Sequence, residues 1–112
     1  MALTVTSETT KGIVKITLAG ELDASVVGDF RTAIEKAAAD HPKRLVLMMS
    51  ELQYMASAGL RALVFAKQKM GSSVEIYCIG VTEPVRETIE MTGFQHSVIM
   101  LDTYDAAEIE NV

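Results

Sequence analysis

Cysteine is almost absent from this chain. Cys78 is the only one in 112 residues, so no disulfide can form within the chain. It lies in the apolar stretch Val74–Ile79 and reads as a small buried hydrophobe, not as a redox or metal group. Tryptophan is missing and aromatics make up 5% of the residues, so the core has to be built from aliphatic side chains, Met and Ala. No apolar run approaches the roughly 18 residues of a membrane-spanning helix. The opening residues Met1-Ala2-Leu3-Thr4 lack the basic region and apolar run of a secretory signal, and a cytosolic location is expected. A basic excess is also lacking. Ten Lys and Arg face fifteen Asp and Glu, a net charge of −5, and no basic cluster interleaves with aromatics. Neither nucleic acid nor an anionic membrane surface is therefore expected as a partner. The two histidines, His41 and His96, stand far apart without ligand-spaced neighbours, so no metal site is expected. No glycine-rich phosphate loop or dinucleotide fingerprint occurs, and no cofactor is expected.

What is present is a chain that is 49% hydrophobic, long enough for one compact domain over residues 1–112. Residues Leu3–Thr9 alternate loosely, Thr10-Lys11-Gly12 marks a turn, and Ile13–Leu18 is β-branched and alternating, which predicts a β-hairpin whose second strand ends at Gly20. Asp23 or Ser25 is placed to cap a following helix, in which Val27, Phe30, Ile34, Ala37 and Ala38 share one face until His41-Pro42 closes it. The unbroken apolar runs Leu45–Met49 and Val74–Ile79 suit parallel strands covered on both faces. Between them a helix with an apolar pattern at Leu60, Leu63 and Val64 is predicted to reach Met70. A further helix opens near Thr82 as cap, with Pro84 in its first turn and Val85 and Ile89 turned inward. Glu83, Arg86, Glu87 and Glu90 form its solvated face. Gly93 reads as a helix stop, Ser97–Leu101 as a last strand and Tyr104–Ile109 as a closing helix. An initial hairpin followed by alternating strands and helices is an α/β fold, a mixed sheet with helices packed on it.

The stretch Tyr54-Met55-Ala56-Ser57-Ala58-Gly59-Leu60-Arg61 joins strand to helix through a loop and sets a hydroxyl at the helix start. There Ser57 can cap the helix, attack a substrate or accept a phosphoryl group. A hydrolase using Ser57, His96 and Asp102 is disfavoured, because Ala56-Ser57-Ala58-Gly59 lacks the leading glycine of a nucleophile elbow. Capping and phosphorylation both stay open on spacing alone. Ala58 and Gly59 leave the first turn without bulk, so a partner's backbone could come close. Tyr54 and Met55 are candidates for an apolar contact surface. Arg61, one turn on, and the positive helix end would stabilise a phosphate on Ser57.

The sequence resembles a STAS domain of the bacterial anti-sigma-factor antagonist type. The likeness rests on Gly20-Glu21-Leu22-Asp23-Ala24 and on Leu52-Gln53-Tyr54-Met55-Ala56-Ser57-Ala58-Gly59-Leu60-Arg61, with weaker support from Met91-Thr92-Gly93-Phe94 and Asp105-Ala106-Ala107. It implies a non-enzymatic regulator that, unphosphorylated, binds an anti-sigma factor that is also a serine kinase. Phosphorylation at Ser57 would release it, and a PP2C-type phosphatase would restore it. It also implies that Asp23 lies on the partner-facing surface. The chain departs from the family at Ala56 and Met48, where carboxylates are usual. Two rivals are an interaction subunit of another signalling or transport assembly, not switched by phosphorylation, and the Ser57 hydrolase.

Overall fold

The computed structural model describes residues 3–111. Strands β1 (Thr4–Thr10) and β2 (Ile13–Leu22) form the predicted hairpin. Its turn residues Lys11 and Gly12 both have positive φ, 57° and 78°. That pairing gives a two-residue loop whose twist matches the strands it joins. β2 does not stop at Gly20 as expected. It runs on to Leu22, and Gly20 at φ 104° sits beside a shift of register.

Strands β3 (Arg44–Met55), β4 (Glu75–Ile79) and β5 (Ile99–Leu101) add parallel to β2, giving one five-stranded sheet in the order β1-β2-β3-β4-β5. Helix α1 (Val27–Ala39) follows β2, α2 (Ser57–Met70) follows β3, and α3 (Glu83–Glu90) follows β4. The four-residue α4 (Ala106–Ile109) follows β5. β5 and α4 are shorter than expected. A 3-10 turn over Phe94–His96 delays the strand, with Ser97 N–H donating to the Phe94 carbonyl at 2.9 Å. Asp105 takes the cap of α4, accepting from Glu108 N–H at 3.2 Å.

The sheet is apolar on both sides, as unbroken strand runs require. One face packs Ile16, Leu18, Leu22, Leu45, Leu47 and Leu52 against Phe30 and Ile34 of α1 and Leu60 and Leu63 of α2. The other buries Ile13, Val46, Tyr77 and Ile79 under Ile109 of α4. The apolar pattern of α2 places Val64 inside, but it is 38% exposed. It shares the outward stripe of Ser57 and Arg61, at helical spacing, while Ala62 and Ala66 occupy the inner side.

Cys78 is fully buried, and that burial pushes its thiol from 9.0 up to about 12. A raised folded-state pKa means that folding favours the neutral thiol. The associated stability is complete below the unfolded value of 9.0 and is lost as pH rises through the interval to about 12. The limiting slope is about 1.4 kcal/mol per pH unit. Urea midpoints measured below and above pH 9 should therefore fall in alkali, and a thiol reagent should label Cys78 only after unfolding.

Candidate functional site

Two strand ends meet at the site. The last residues of β2 and β3, Leu22 and Met55, are register partners, and Ala56 N–H donates to the Leu22 carbonyl at 2.9 Å. Asp23 thus emerges beside Ala56 and Ser57. The register between β2 and β3 shifts twice, with β3 supplying the extra residue each time: Thr17 faces Met48 but Ala19 faces Glu51, and Gly20 faces Leu52 but Glu21 faces Tyr54. Such bulges rotate the side-chain alternation by one residue. Met49, Leu52 and Met55 consequently all point into the core at intervals of three, and Tyr54 is turned out, 48% exposed.

Beyond Met48, β3 has lost β4 as a neighbour. Helix α3 takes that side. Thr82 Oγ1 donates to the Leu52 carbonyl at 2.9 Å and Thr88 Oγ1 to the Met55 carbonyl at 3.4 Å. Thr82 occupies the helix-cap position as expected, but its hydroxyl satisfies the strand instead of the helix. Met91, one turn past Thr88, is 85% exposed. Nothing in the apolar pattern singled it out, because periodicity marks which residues are inward and not which outward ones matter.

The structure separates the two uses of Ser57. Ala56, with φ −79° and ψ 171°, is the N-cap of α2 and supplies no side-chain bond; Ser57 is the first helical residue. Its hydroxyl is solvent-exposed and makes no hydrogen bond among the described residues. The cap expectation for Ser57 is therefore corrected by one position. The Ala56 carbonyl accepts from Gly59 N–H at 2.9 Å and Leu60 N–H at 3.2 Å, while the N–H groups of Ser57 and Ala58 have no partner among the described residues. A carboxylate at the cap would accept from such groups and oppose the positive helix end. Ala56→Asp should raise folding stability by about 1 kcal/mol in a denaturant titration; no gain would mean that the helix end is already satisfied by solvent.

Two candidates for the contact surface move to the interior. Met55 is 2% exposed and Gly59 is buried. A Cβ on Gly59 would lie 2.8 Å from Met55 Cγ and 2.9 Å from Leu22 Cδ2 and Cγ. Its lack of a side chain lets α2 sit close over β2 and β3 and does not open the surface to a partner. Tyr54 and Arg61 remain exposed, with Ala56 and Ala58 half-buried between them.

Asp23 does not cap α1. Its carboxylate accepts from the Ser25 hydroxyl at 2.6 Å and from Ser25 N–H at 2.9 Å, and Val26 takes the cap position without a side-chain bond. Those bonds, the hydroxyl first, hold the Asp23 pKa below its ordinary value, so it presents a fixed negative charge. The hydrolase arrangement is not assembled. His96 precedes β5 and Ser57 follows the parallel β3, so they lie at opposite ends of the sheet, and Asp102 faces Arg86 at 3.9 Å. Among the described residues no cluster of His, Cys, Asp and Glu is placed to hold a metal ion, and no helix is long and apolar enough to cross a membrane.

This five-stranded sheet, entered by a hairpin and covered by helices, is the architecture of a known class. Residues 4–107 match the STAS domain, and the chain belongs to that family. It is 26% identical over 102 residues, 91% of its length and 84% of the relative's, to the anti-sigma-F factor antagonist RsfB of Mycobacterium tuberculosis. Its fold superimposes on an anti-sigma factor antagonist from Mycobacterium paratuberculosis with a TM-score of 0.89 at 23% identity, covering 98% of this chain and 96% of that one. The Bacillus cell fate determinant SpoIIAA in its phosphorylated form gives a TM-score of 0.70 at 18% identity, covering 97% of each chain.

Proposed function

We propose that this protein is an anti-sigma-factor antagonist that exchanges partners through Ser57. The observation that carries the proposal is the exposed Ser57 hydroxyl, free of any capping bond, on the first turn of α2. RsfB, a relative across most of the chain, supports the antagonist role, and SpoIIAA, of the same fold, has a phosphorylated form. The contact surface comprises Asp23, Tyr54, Ala56, Ala58 and Arg61 around Ser57. Unphosphorylated, it docks an anti-sigma factor with serine-kinase activity. A phosphate adds about −1.5 to −2 charges at pH 7, which helix end and Arg61 stabilise on the free protein but which docking would desolvate. A PP2C-type phosphatase resets the switch, and the protein works in the cytosol without catalysing a reaction itself.

The test is incubation with the host's serine kinases and ATP, followed by peptide mass spectrometry. One phosphate on Ser57, absent in Ser57→Ala, is the expected result. Should no kinase modify Ser57 while the wild type still captures an anti-sigma factor, the unswitched interaction module would replace this reading. Ala56 and Met48, apolar where the family usually has carboxylates, are the features that favour that second reading.

A further inference from the structure

The outer edge of the sheet is unguarded. β1 is an edge strand of seven residues, Thr4-Val5-Thr6-Ser7-Glu8-Thr9-Thr10, paired to β2 in unbroken register. Natural edges are blunted with Lys, Pro, bulges or short length. The opposite edge, β5, is blunted by length, with three residues. β1 has none of these devices, and its one charged residue, Glu8, is already engaged by Lys15 at 3.7 Å.

A groove of about 520 Å³ runs beside this edge, between β1 and α1, lined among others by Val5, Ser7, Asp29, Thr32, Ala33 and Lys36. The four α1 residues fall at i, i+3, i+4 and i+7, one stripe of the helix. The stripe reads acid, small, small, base. Neither Asp29 nor Lys36 has an ion-pair partner among the described residues.

We propose that this edge and stripe bind a second copy of the chain, β1 against β1 antiparallel and α1 against α1, in a two-fold dimer with a continuous ten-stranded sheet. An axis through Ser7, the middle of β1, sets Val5 opposite Thr9 and Thr6 opposite Glu8 of the second copy. No like charges then face each other along the strands. An axis that also passes between Thr32 and Ala33 would lay the two α1 stripes antiparallel, so that Asp29 of each copy meets Lys36 of the other and Thr32 and Ala33 allow close approach at the centre. A closed two-fold interface requires this self-complementarity, and an unrelated partner would not. The pairing is independent of the Ser57 reading. β3, which leads to Ser57, is two strands in from this edge, so both Ser57 surfaces stay open.

Sedimentation velocity on the whole chain tests the proposal. The wild type should show a concentration-dependent species of twice the 12.2 kDa chain mass. Asp29→Lys and Lys36→Asp, each alone, should weaken dimerisation by about tenfold or more, because each opposes like charges across the axis. The double exchange Asp29→Lys with Lys36→Asp should restore it, which a merely structural role for either residue would not. Ser7→Lys, placing two ammonium groups on the axis, should abolish it with an unchanged circular dichroism spectrum. A wild type that stays monomeric at its highest soluble concentration overturns the proposal, as does a dimer indifferent to all three single substitutions.

Discussion

Truncating Leu22 to alanine is expected to lower folding stability by about 2–5 kcal/mol. Leu22 is fully buried, and it is the residue on which the site is assembled. Its side chain supports Gly59, its carbonyl holds Ala56 N–H, and its register partner is Met55. The companion substitution Gly59→Ala sets a general benefit against a local cost. Alanine is favoured over glycine inside a helix by about 1 kcal/mol. Here its methyl would overlap Leu22 and Met55, and overpacking costs about 1–3 kcal/mol. The net effect is expected to be destabilising. The two changes should not add, since alanine at position 22 removes the two Leu22 atoms that the Gly59→Ala methyl would strike and leaves only Met55 Cγ in its way. A double-mutant cycle by urea unfolding should therefore show favourable coupling of about 1 kcal/mol. Strict additivity would mean that α2 shifts outward as a body, and the view of Gly59 as a spacer would be wrong.

Ser57→Asp is expected to weaken binding of the unphosphorylated-form partner by about tenfold or more, while Ser57→Ala binds nearly as the wild type does. The charge would enter a surface of half-buried alanines beside Tyr54, with Asp23 already negative nearby. Docking has to strip water from that added charge. In the free protein the effect has the opposite sign. An acidic residue in the first turn complements the helix dipole, by about 0.3–1 kcal/mol at an exposed site. Stability should hold or rise in Ser57→Asp as affinity falls. That divergence, read by calorimetric binding and urea unfolding on the same preparation, distinguishes a charge switch from damage to the fold. Equal affinity for wild type and Ser57→Asp would remove the electrostatic mechanism.

The order of elements was legible because each carries its own period. Alternation marked β2, unbroken apolar runs marked β3 and β4, and the 3.6-residue spacing of Phe30, Ile34 and Ala37 marked α1. Small disagreements cluster where local signals compete with tertiary partners. Gly20 read as a strand end because glycine is a poor strand former, yet β3 pairs with it and the strand continues. Thr82 read as a cap because threonine often is one, yet the Leu52 carbonyl exposed by the end of β4 claims its hydroxyl.

For the Ser57 segment, the sequence by itself determined that a hydroxyl stands where a helix begins, and that small residues follow it. Only the tertiary structure decided which of these residues face out. Period-two alternation would place Leu52 and Tyr54 on the same side of β3. The bulge opposite Gly20 and Glu21 breaks that phase, burying Met55 and exposing Tyr54. A bulge belongs to the pairing of two strands distant in the chain, so no single strand's sequence records it. The role of Gly59 is hidden for the same reason: whether a missing side chain makes room outward or inward depends on what lies beneath, and here Leu22 arrives from another strand.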